Sequence, residues 1–183
     1  MRSSVKELTY TALMAAVICI LAPISIPVPV SSVALTLATF ALYLTAYVLP
    51  PKKALAAVGI YLLLGAAGLP VFSGYTGGIS RFAAAGGGYL VGYLFLTGIS
   101  SAVIHRFPNR SLIQIIGMFA ATFVTYLLGT FWMAHVIGAG FLETLPAGAL
   151  VFLPLDTVKI LVSCAVGQKL IRHLKNSTGI PLS

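Results

Sequence analysis

Two ionisable residues lie well inside an apolar stretch of this sequence, namely Asp156 and Lys159 in the segment Phe152-Leu-Pro-Leu-Asp-Thr-Val-Lys159. Charged side chains in hydrocarbon are costly, so they normally face the interior of a bundle or a wet cavity, where they take part in function. A spacing of three residues puts both side chains on one face of a helix. Pro154 suits the first turn of a helix, which places Asp156 near the positive end of the helix dipole. The pair therefore predicts a polar pocket that opens outward.

The chemistry of the pair indicates what such a pocket could bind. A carboxylate only accepts hydrogen bonds and an ammonium only donates them, so together they suit a ligand with both N–H and C=O groups, such as a urea-like group. A second interpretation is open. Asp156 and Lys159 could form a neutralising salt bridge within the helix that stabilises the bundle, with Lys159 reaching toward the membrane surface.

A glycine-rich segment, residues 69–85, is the second candidate for ligand binding. Six glycines occur among aromatic residues in 74–88, a composition that lets the backbone approach a ligand closely beside aromatic walls. Arg81 is well suited to a carboxylate because its guanidinium is a rigid fork of N–H donors. The alternative is a flexible outer loop with one solvated arginine. The other candidates of this region are Phe72, Ser73, Gly74, Tyr75 and Tyr89.

Several classes of site are not supported. Neither nucleotide-binding motif, G-x-x-x-x-G-K-[ST] or G-x-G-x-x-G, occurs in the sequence. His105, His135 and His173 fall at or beyond the ends of apolar runs, without the carboxylate partners that a metal site would need. Cys19 and Cys164 lie inside apolar runs, which argues against a disulfide framework. We therefore predict no catalytic residue, no metal site and no cofactor.

The composition indicates a membrane protein. Of 183 residues, 59% are hydrophobic and only 8% are charged, which is more apolar surface than one small core could hide from water. The net charge of +8 does not indicate nucleic-acid binding, because the basic residues lie between apolar runs rather than along one face. Residues 1–22 resemble a signal peptide but lack a small-residue cleavage site, so we predict that they form a helix.

The sequence predicts one all-α integral membrane domain, residues 1–183, with six transmembrane helices. A bilayer core of about 30 Å needs about 20 apolar residues as helix, and prolines separate the apolar runs. The predicted helices cover residues 9–22, 31–49, 54–68, 86–104, 112–133 and 148–172, and the loop 69–85 covers the ligand from outside.

The distribution of basic residues predicts that both termini lie in the cytoplasm. With the N-terminus inside, the outer segments hold only Arg81, whereas cytoplasmic segments hold nine basic residues, an asymmetry typical of this orientation. The nine are Arg2, Lys6, Lys52, Lys53, Arg106, Arg110, Lys169, Arg172 and Lys175.

Five segments together resemble the BioY family, the biotin-binding S components of energy-coupling factor (ECF) transporters. They are Thr36-Leu-Ala-Thr-Phe-Ala41, Leu49-Pro-Pro-Lys-Lys-Ala54, Tyr61-Leu-Leu-Leu-Gly-Ala-Ala-Gly-Leu-Pro-Val-Phe72, Gly87-Gly-Tyr-Leu-Val-Gly92 and Phe152-Leu-Pro-Leu-Asp-Thr-Val-Lys159. The resemblance extends from Thr9 to Leu170 and keeps the order and spacing of the segments. The sequence departs from the family pattern at Ala38, Ala84, Ala85 and Leu155.

The resemblance implies an S component that captures biotin outside and releases it inside. Its partners would be a transmembrane coupling subunit and two cytoplasmic ATPases in a prokaryotic plasma membrane, and it would be no enzyme. In the family, the Asp and Lys of the last helix belong to the biotin site, and Asp156 and Lys159 match them. An A-x-x-x-A pattern on the first helix meets the coupling subunit, and Ala12 and Ala16 match it.

With biotin as ligand, the chemistry predicts the ureido ring beside Asp156 and Lys159 and the carboxylate beside Arg81, near water. Other functions remain open: an S component for another small vitamin, a subunit that transports alone, or a purely structural subunit. An intramembrane enzyme would need a paired base and nucleophile on facing helices, and the sequence shows no such pair.

Overall fold

Helices make up most of the chain in this computed structural model, which describes residues 5–29 and 31–178, with side chains as far as residue 171. In chain order the elements are α1 (Val5–Leu21), β1 (Ser25–Ile26), β2 (Leu35–Thr36), α2 (Ala38–Val48), α3 (Pro51–Ala66), α4 (Ser80–Ala83), α5 (Gly87–Arg106), α6 (Ser111–Ile137), α7 (Phe141–Leu145), a π-helical turn (Pro146–Leu150) and α8 (Leu153–Thr178). Each of the six predicted runs overlaps one of the longer helices. Of the basic residues that predict orientation, Arg2 lies outside the described residues, as do the side chains of Arg172 and Lys175.

Residues 31–37 are not helical, although the sequence predicts a helix from residue 31. Instead, β1 and β2 pair as an antiparallel hairpin. Pro27 and Pro29 oppose helix formation in the segment between the strands. The hydroxyl of Ser31 also accepts a 3.1 Å hydrogen bond from the backbone N–H of Val33, a local turn that competes with a helix. The second helix therefore begins only at the end of the hairpin.

The last predicted run is broken near its start. A π-helical turn ends at Leu150, and α8 begins at Leu153 with Asp156 in its first turn. Pro154 fits this place because the first turn of a helix needs no backbone N–H from it. The helical segments Phe141–Leu150 and Leu153–Ile171 are bent by 42° relative to each other. The break sets Asp156 at the N-terminal end of α8.

The packing centres on α2, which lies against α5 and α8 and contains the fully buried Tyr43 and Tyr47. The α5 and α6 helices approach closely because α5 presents glycines to α6. A Cβ atom at Gly88 would lie 2.4 Å from the Cβ of Trp132, and one at Gly92 would lie 2.8 Å from Thr125. The Gly88-x-x-x-Gly92 pattern therefore serves packing within the chain.

Among the described helices, α5 and α6 are each long and apolar enough to cross a membrane. The bent pair Phe141–Leu150 and Leu153–Ile171 passes the same test as one broken span. The α1 and α3 helices have 17 and 16 residues, close to the short limit for a bilayer. Large apolar side chains such as Phe123, Phe131 and Val158 are exposed on the outside of the bundle. The fold is that of a helical membrane protein, and the count of six crossings stays a prediction.

Candidate functional site

Two adjoining cavities lead from the segment 69–85 into the helix bundle. The outer cavity has a volume of about 460 Å³, and the inner one, of about 40 Å³, lies against Asp156 and Lys159. Both are lined by Val33, Ala34, Thr36, Tyr89 and Tyr93. Small-molecule sites typically have volumes of roughly 300–1,000 Å³. The glycine-rich segment and the charged pair therefore border one space of suitable size.

Asp156 and Lys159 form an ion pair at the inner end of this space. Lys159 Nζ lies 2.8 Å from Asp156 Oδ1, and the two residues are only 4% and 7% exposed. The salt bridge that the sequence left as an alternative is thus present, and it also lines a cavity. Two buried charges require each other and further hydrogen bonds to be tolerated, and neighbouring helices supply those bonds.

The start of α2 completes the hydrogen bonding of Lys159. Its Nζ donates to the carbonyl oxygen of Thr36 at 2.6 Å and to the hydroxyl of Thr39 at 3.0 Å. The Thr39 hydroxyl donates in turn to Asp156 Oδ1 at 3.0 Å. Together with Asp156, these acceptors occupy all three N–H donors of the ammonium. Lys159 therefore has to release one of them before it can donate to a ligand.

Tyr126 of α6 is the other donor to the carboxylate. Its hydroxyl lies 2.6 Å from Asp156 Oδ2, and its ring centroid lies 6.5 Å from that of Phe152. Within the described part of the chain, Tyr126 is the one hydrogen-bond donor to Oδ2. A carboxylate oxygen has two acceptor sites, so Oδ2 keeps one for an N–H group of a ligand.

The segment 69–85 contributes four of the predicted residues to the outer cavity, namely Phe72, Ser73, Gly74 and Arg81. Phe72 is 2% exposed, and its ring packs edge-on against the rings of Tyr61 and Phe82. This aromatic cluster fixes the base of the loop. Arg81, at the outer cavity, is the cation available to a negatively charged ligand there.

The two predicted tyrosines occupy different environments. Tyr89 is 6% exposed, lines both cavities and donates its hydroxyl hydrogen to the carbonyl oxygen of Gly148. Tyr75 is 68% exposed and lines neither of these cavities. It lies with Gly74 in a tight turn, where both residues have positive φ, 57° and 68°. The turn leaves Tyr75 outside the site.

Ala12 and Ala16 lie on the outer surface of α1. Both are exposed, whereas Met14, Ala15 and Ile18 of the same helix are buried. Residues four apart share a helix face, so the two alanines form a shallow strip that faces away from the bundle. Small residues on such a strip allow the backbone of another helix to approach closely.

Most residues of the inner cavity are absent from the sequence predictions, among them Thr39, Tyr93 and Tyr126. Thr39 and Tyr126 lie 117 and 30 residues from Asp156 along the chain, so only helix packing brings them to it. A signal for Tyr126 was available, because a buried tyrosine hydroxyl in an apolar helix needs a hydrogen-bond partner.

The departures from the BioY pattern fall into two groups. Ala38, Ala84 and Ala85 line the outer cavity, so they set the space available to a ligand. The carbonyl oxygen of Ala84 also accepts a 3.0 Å hydrogen bond from Trp132 Nε1, which ties the segment 69–85 to α6. Leu155 is 38% exposed and lines neither of these cavities.

Comparisons with known proteins agree over nearly the whole chain. Residues 1–176 match the model of the BioY family. The chain is 35% identical over 179 residues to the biotin transporter BioY of Rhizobium etli, with 90% of this chain and 92% of the relative covered. It is 31% identical to the biotin transporter BioY2 of Lactococcus lactis subsp. cremoris, with 93% of each chain covered.

A solved structure agrees with these relatives. The crystal structure of the S component for biotin from an ECF-type ABC transporter superposes with a TM-score of 0.86 at 27% sequence identity. The superposition covers 92% of each chain. The likeness therefore extends to the arrangement of the whole bundle and does not depend on one motif.

Proposed function

The chain belongs to the BioY family, and from this premise we propose that it is the membrane-embedded S component that binds biotin for an ECF-type transporter. It is a transport protein and not an enzyme. The relatives named as biotin transporters and the solved S component for biotin support this ligand. The observation that carries the proposal is the position of the buried Asp156–Lys159 pair. The pair lines the inner of the two adjoining cavities, and Arg81 lines the outer one.

The two ends of biotin suit the two ends of this space. The ureido ring offers N–H groups to Asp156 Oδ2 and apolar faces to the rings of Tyr93 and Phe152. The carboxylate of the valerate chain is placed beside Arg81, where it stays near water. Since the donors of Lys159 are occupied, we propose that the ureido carbonyl takes the place of Thr36 or Thr39 as its acceptor.

The proposed assembly follows the same premise. The exposed strip of Ala12 and Ala16 would contact the transmembrane coupling subunit, and two cytoplasmic ATPases would complete the transporter. The chain would lie in the plasma membrane of a prokaryotic cell with six crossings and both termini inside. Capture of biotin then requires no chemical change of the ligand, and release inside depends on ATP hydrolysis by the partners.

Equilibrium binding of biotin to the purified protein in detergent tests the proposal. We expect saturable binding at one site with a dissociation constant below the micromolar range, and its loss in Asp156→Asn. Thr157→Val is a matched control, because the Thr157 hydroxyl bonds to the Leu153 carbonyl within α8 and lines neither cavity. It should bind like the wild type. Absence of binding at micromolar biotin would exclude biotin as the ligand.

A further inference from the structure

Thr76 connects the side chain of Arg81 to the backbone of the outer loop. Arg81 Nε donates a 2.8 Å hydrogen bond to the Thr76 hydroxyl. The same hydroxyl donates its own hydrogen to the carbonyl oxygen of Ser73 at 2.9 Å. Both hydrogen bonds have defined directions, so the hydroxyl is fixed as an acceptor for Arg81.

The tight turn between Phe72 and Thr76 is held in place by several contacts. Thr76 and Phe72 exchange backbone hydrogen bonds of 2.8 and 3.3 Å across the tight turn. The backbone N–H of Gly74 within that turn donates to the carbonyl oxygen of Pro23 at 3.0 Å, which attaches the turn to the chain that follows α1. The Phe72 ring is buried between Tyr61 and Phe82. The turn beside Thr76 is thus held by backbone hydrogen bonds and by the packing of the Phe72 side chain.

Arg81 has further donors that this contact leaves free. A guanidinium carries five N–H groups in one plane, and the Nε–H bonds to Thr76. Within the described ranges 5–29 and 31–178, the four N–H groups on its two Nη atoms have no hydrogen-bond partner. Arg81 and Thr76 both line the outer cavity. The orientation of the guanidinium plane there depends on a single hydroxyl.

We propose that Thr76 is a positioning residue for the ligand carboxylate: it holds Arg81 Nε so that the two Nη groups bind the carboxylate together, end-on. This inference depends on the proposed function, because it assumes a ligand with a carboxylate in the outer cavity. A free arginine side chain would lose rotamer freedom when it binds. The Thr76 contact removes that freedom before the ligand binds. It therefore increases the affinity for a ligand with an anionic group, and not the affinity for an uncharged ligand.

Binding of biotin and of its uncharged carboxamide to variants of Thr76 tests the inference. We expect Thr76→Val, which keeps the shape of the side chain and removes the hydroxyl, to weaken biotin about tenfold, the magnitude of one hydrogen bond to a charged group. Binding of the amide should stay unchanged. Thr76→Ser restores the hydroxyl and should restore biotin binding. In an Arg81→Ala background, Thr76→Val should have no further effect on either compound.

A purely structural role of Thr76 predicts a different result, because Thr76→Val would then weaken acid and amide equally. That result would overturn the inference. A Thr76→Val variant that discriminates between acid and amide as well as the wild type does would overturn it too. In both cases, biotin binding by the wild type would uphold the proposed function. A wild type that binds neither compound would overturn both. If Thr76→Val does not fold, Arg81→Lys gives the answer, because lysine keeps the charge but has no Nε–H for Thr76 to orient. Wild-type affinity of Arg81→Lys for biotin would overturn the inference.

Discussion

The hydroxyl of Tyr126 in α6 donates a 2.6 Å hydrogen bond to Oδ2 of Asp156 in α8. Both residues are buried, at 7% and 4% exposure. The bond joins two helices at the inner cavity and fixes the carboxylate in one orientation. With Oδ1 occupied by Thr39 and Lys159, the remaining acceptor site of the carboxylate lies on Oδ2. A ligand N–H that binds Asp156 therefore becomes a neighbour of the Tyr126 hydroxyl.

We expect Tyr126→Phe to lower the free energy of unfolding by about 1–3 kcal/mol, because a buried carboxylate oxygen loses its donor. Biotin should then raise the melting temperature of the variant more than that of the wild type, since the ureido N–H supplies the missing bond. Thermal unfolding in detergent, with and without biotin, measures both effects.

Tyr43→Phe is the matched control for this measurement. It removes an equally buried hydroxyl, which bonds to Thr122, and Tyr43 lines neither cavity. Its stability should fall while its response to biotin stays that of the wild type. If biotin stabilises Tyr126→Phe no more than it stabilises Tyr43→Phe, the ureido N–H does not reach Oδ2.

A double substitution separates the structural role of the ion pair from its role in binding. Asp156→Asn leaves Lys159 buried without a counter-charge and should lower stability by about 3–5 kcal/mol. Adding Lys159→Met removes the uncompensated charge and should restore most of the stability. Biotin binding should remain lost, because the acceptor for the ureido N–H is missing. A double variant that binds biotin with wild-type affinity would show that the pair serves only the stability of the bundle.

The sequence was most informative where a residue type was out of place. Asp156 and Lys159 could be predicted because charges are rare in apolar helices, and Arg81 because it is the one basic residue of the predicted outer segments. Local rules also explain why α8 begins near Pro154. The charged pair and the start of α8 depend on residues that are close together along the chain, whereas Arg81 was found from the distribution of basic residues over the whole sequence.

Most of the features that the sequence did not predict depend on long-range packing. Thr39 reaches Asp156 only because α2 lies between α5 and α8, and a threonine in an apolar run has no local signal for such a contact. The occupied donors of Lys159 follow from the hairpin before α2, which replaces the predicted helix and leaves the Thr36 carbonyl available. Tyr75 resembles the other aromatic residues of its segment, and only the positive φ angles of its turn place it outside the cavity.

The exposed strip on α1 predicts a separation between ligand binding and assembly. We expect Ala16→Trp to leave biotin binding intact and to reduce co-purification with the coupling subunit, because a bulky side chain prevents close helix contact. Val158→Trp provides a control on α8, since Val158 is 55% exposed on the bundle surface. It should retain the partner. Wild-type yield of the partner with Ala16→Trp would place the contact elsewhere, and loss of biotin binding as well would indicate a role in folding.

The position of Arg81 predicts how the protein distinguishes charged from uncharged forms of its ligand. Biotin and its carboxamide differ only at the end of the valerate chain, so the difference in their affinities reports on the group that meets the carboxylate. We expect the wild type to prefer the acid at least about tenfold, as a hydrogen-bonded charge pair contributes about 1.5–3 kcal/mol. Arg81→Ala should nearly erase this preference and leave binding of the amide unchanged.

Lys52→Ala, which removes a positive charge from an exposed residue at the start of α3, controls for the net charge of the protein and should keep the preference. Equal weakening of acid and amide by Arg81→Ala would instead mean that the arginine only shapes the loop. The carboxylate would then have to bind at the inner cavity, where Lys159 could receive it only by releasing Thr36 or Thr39.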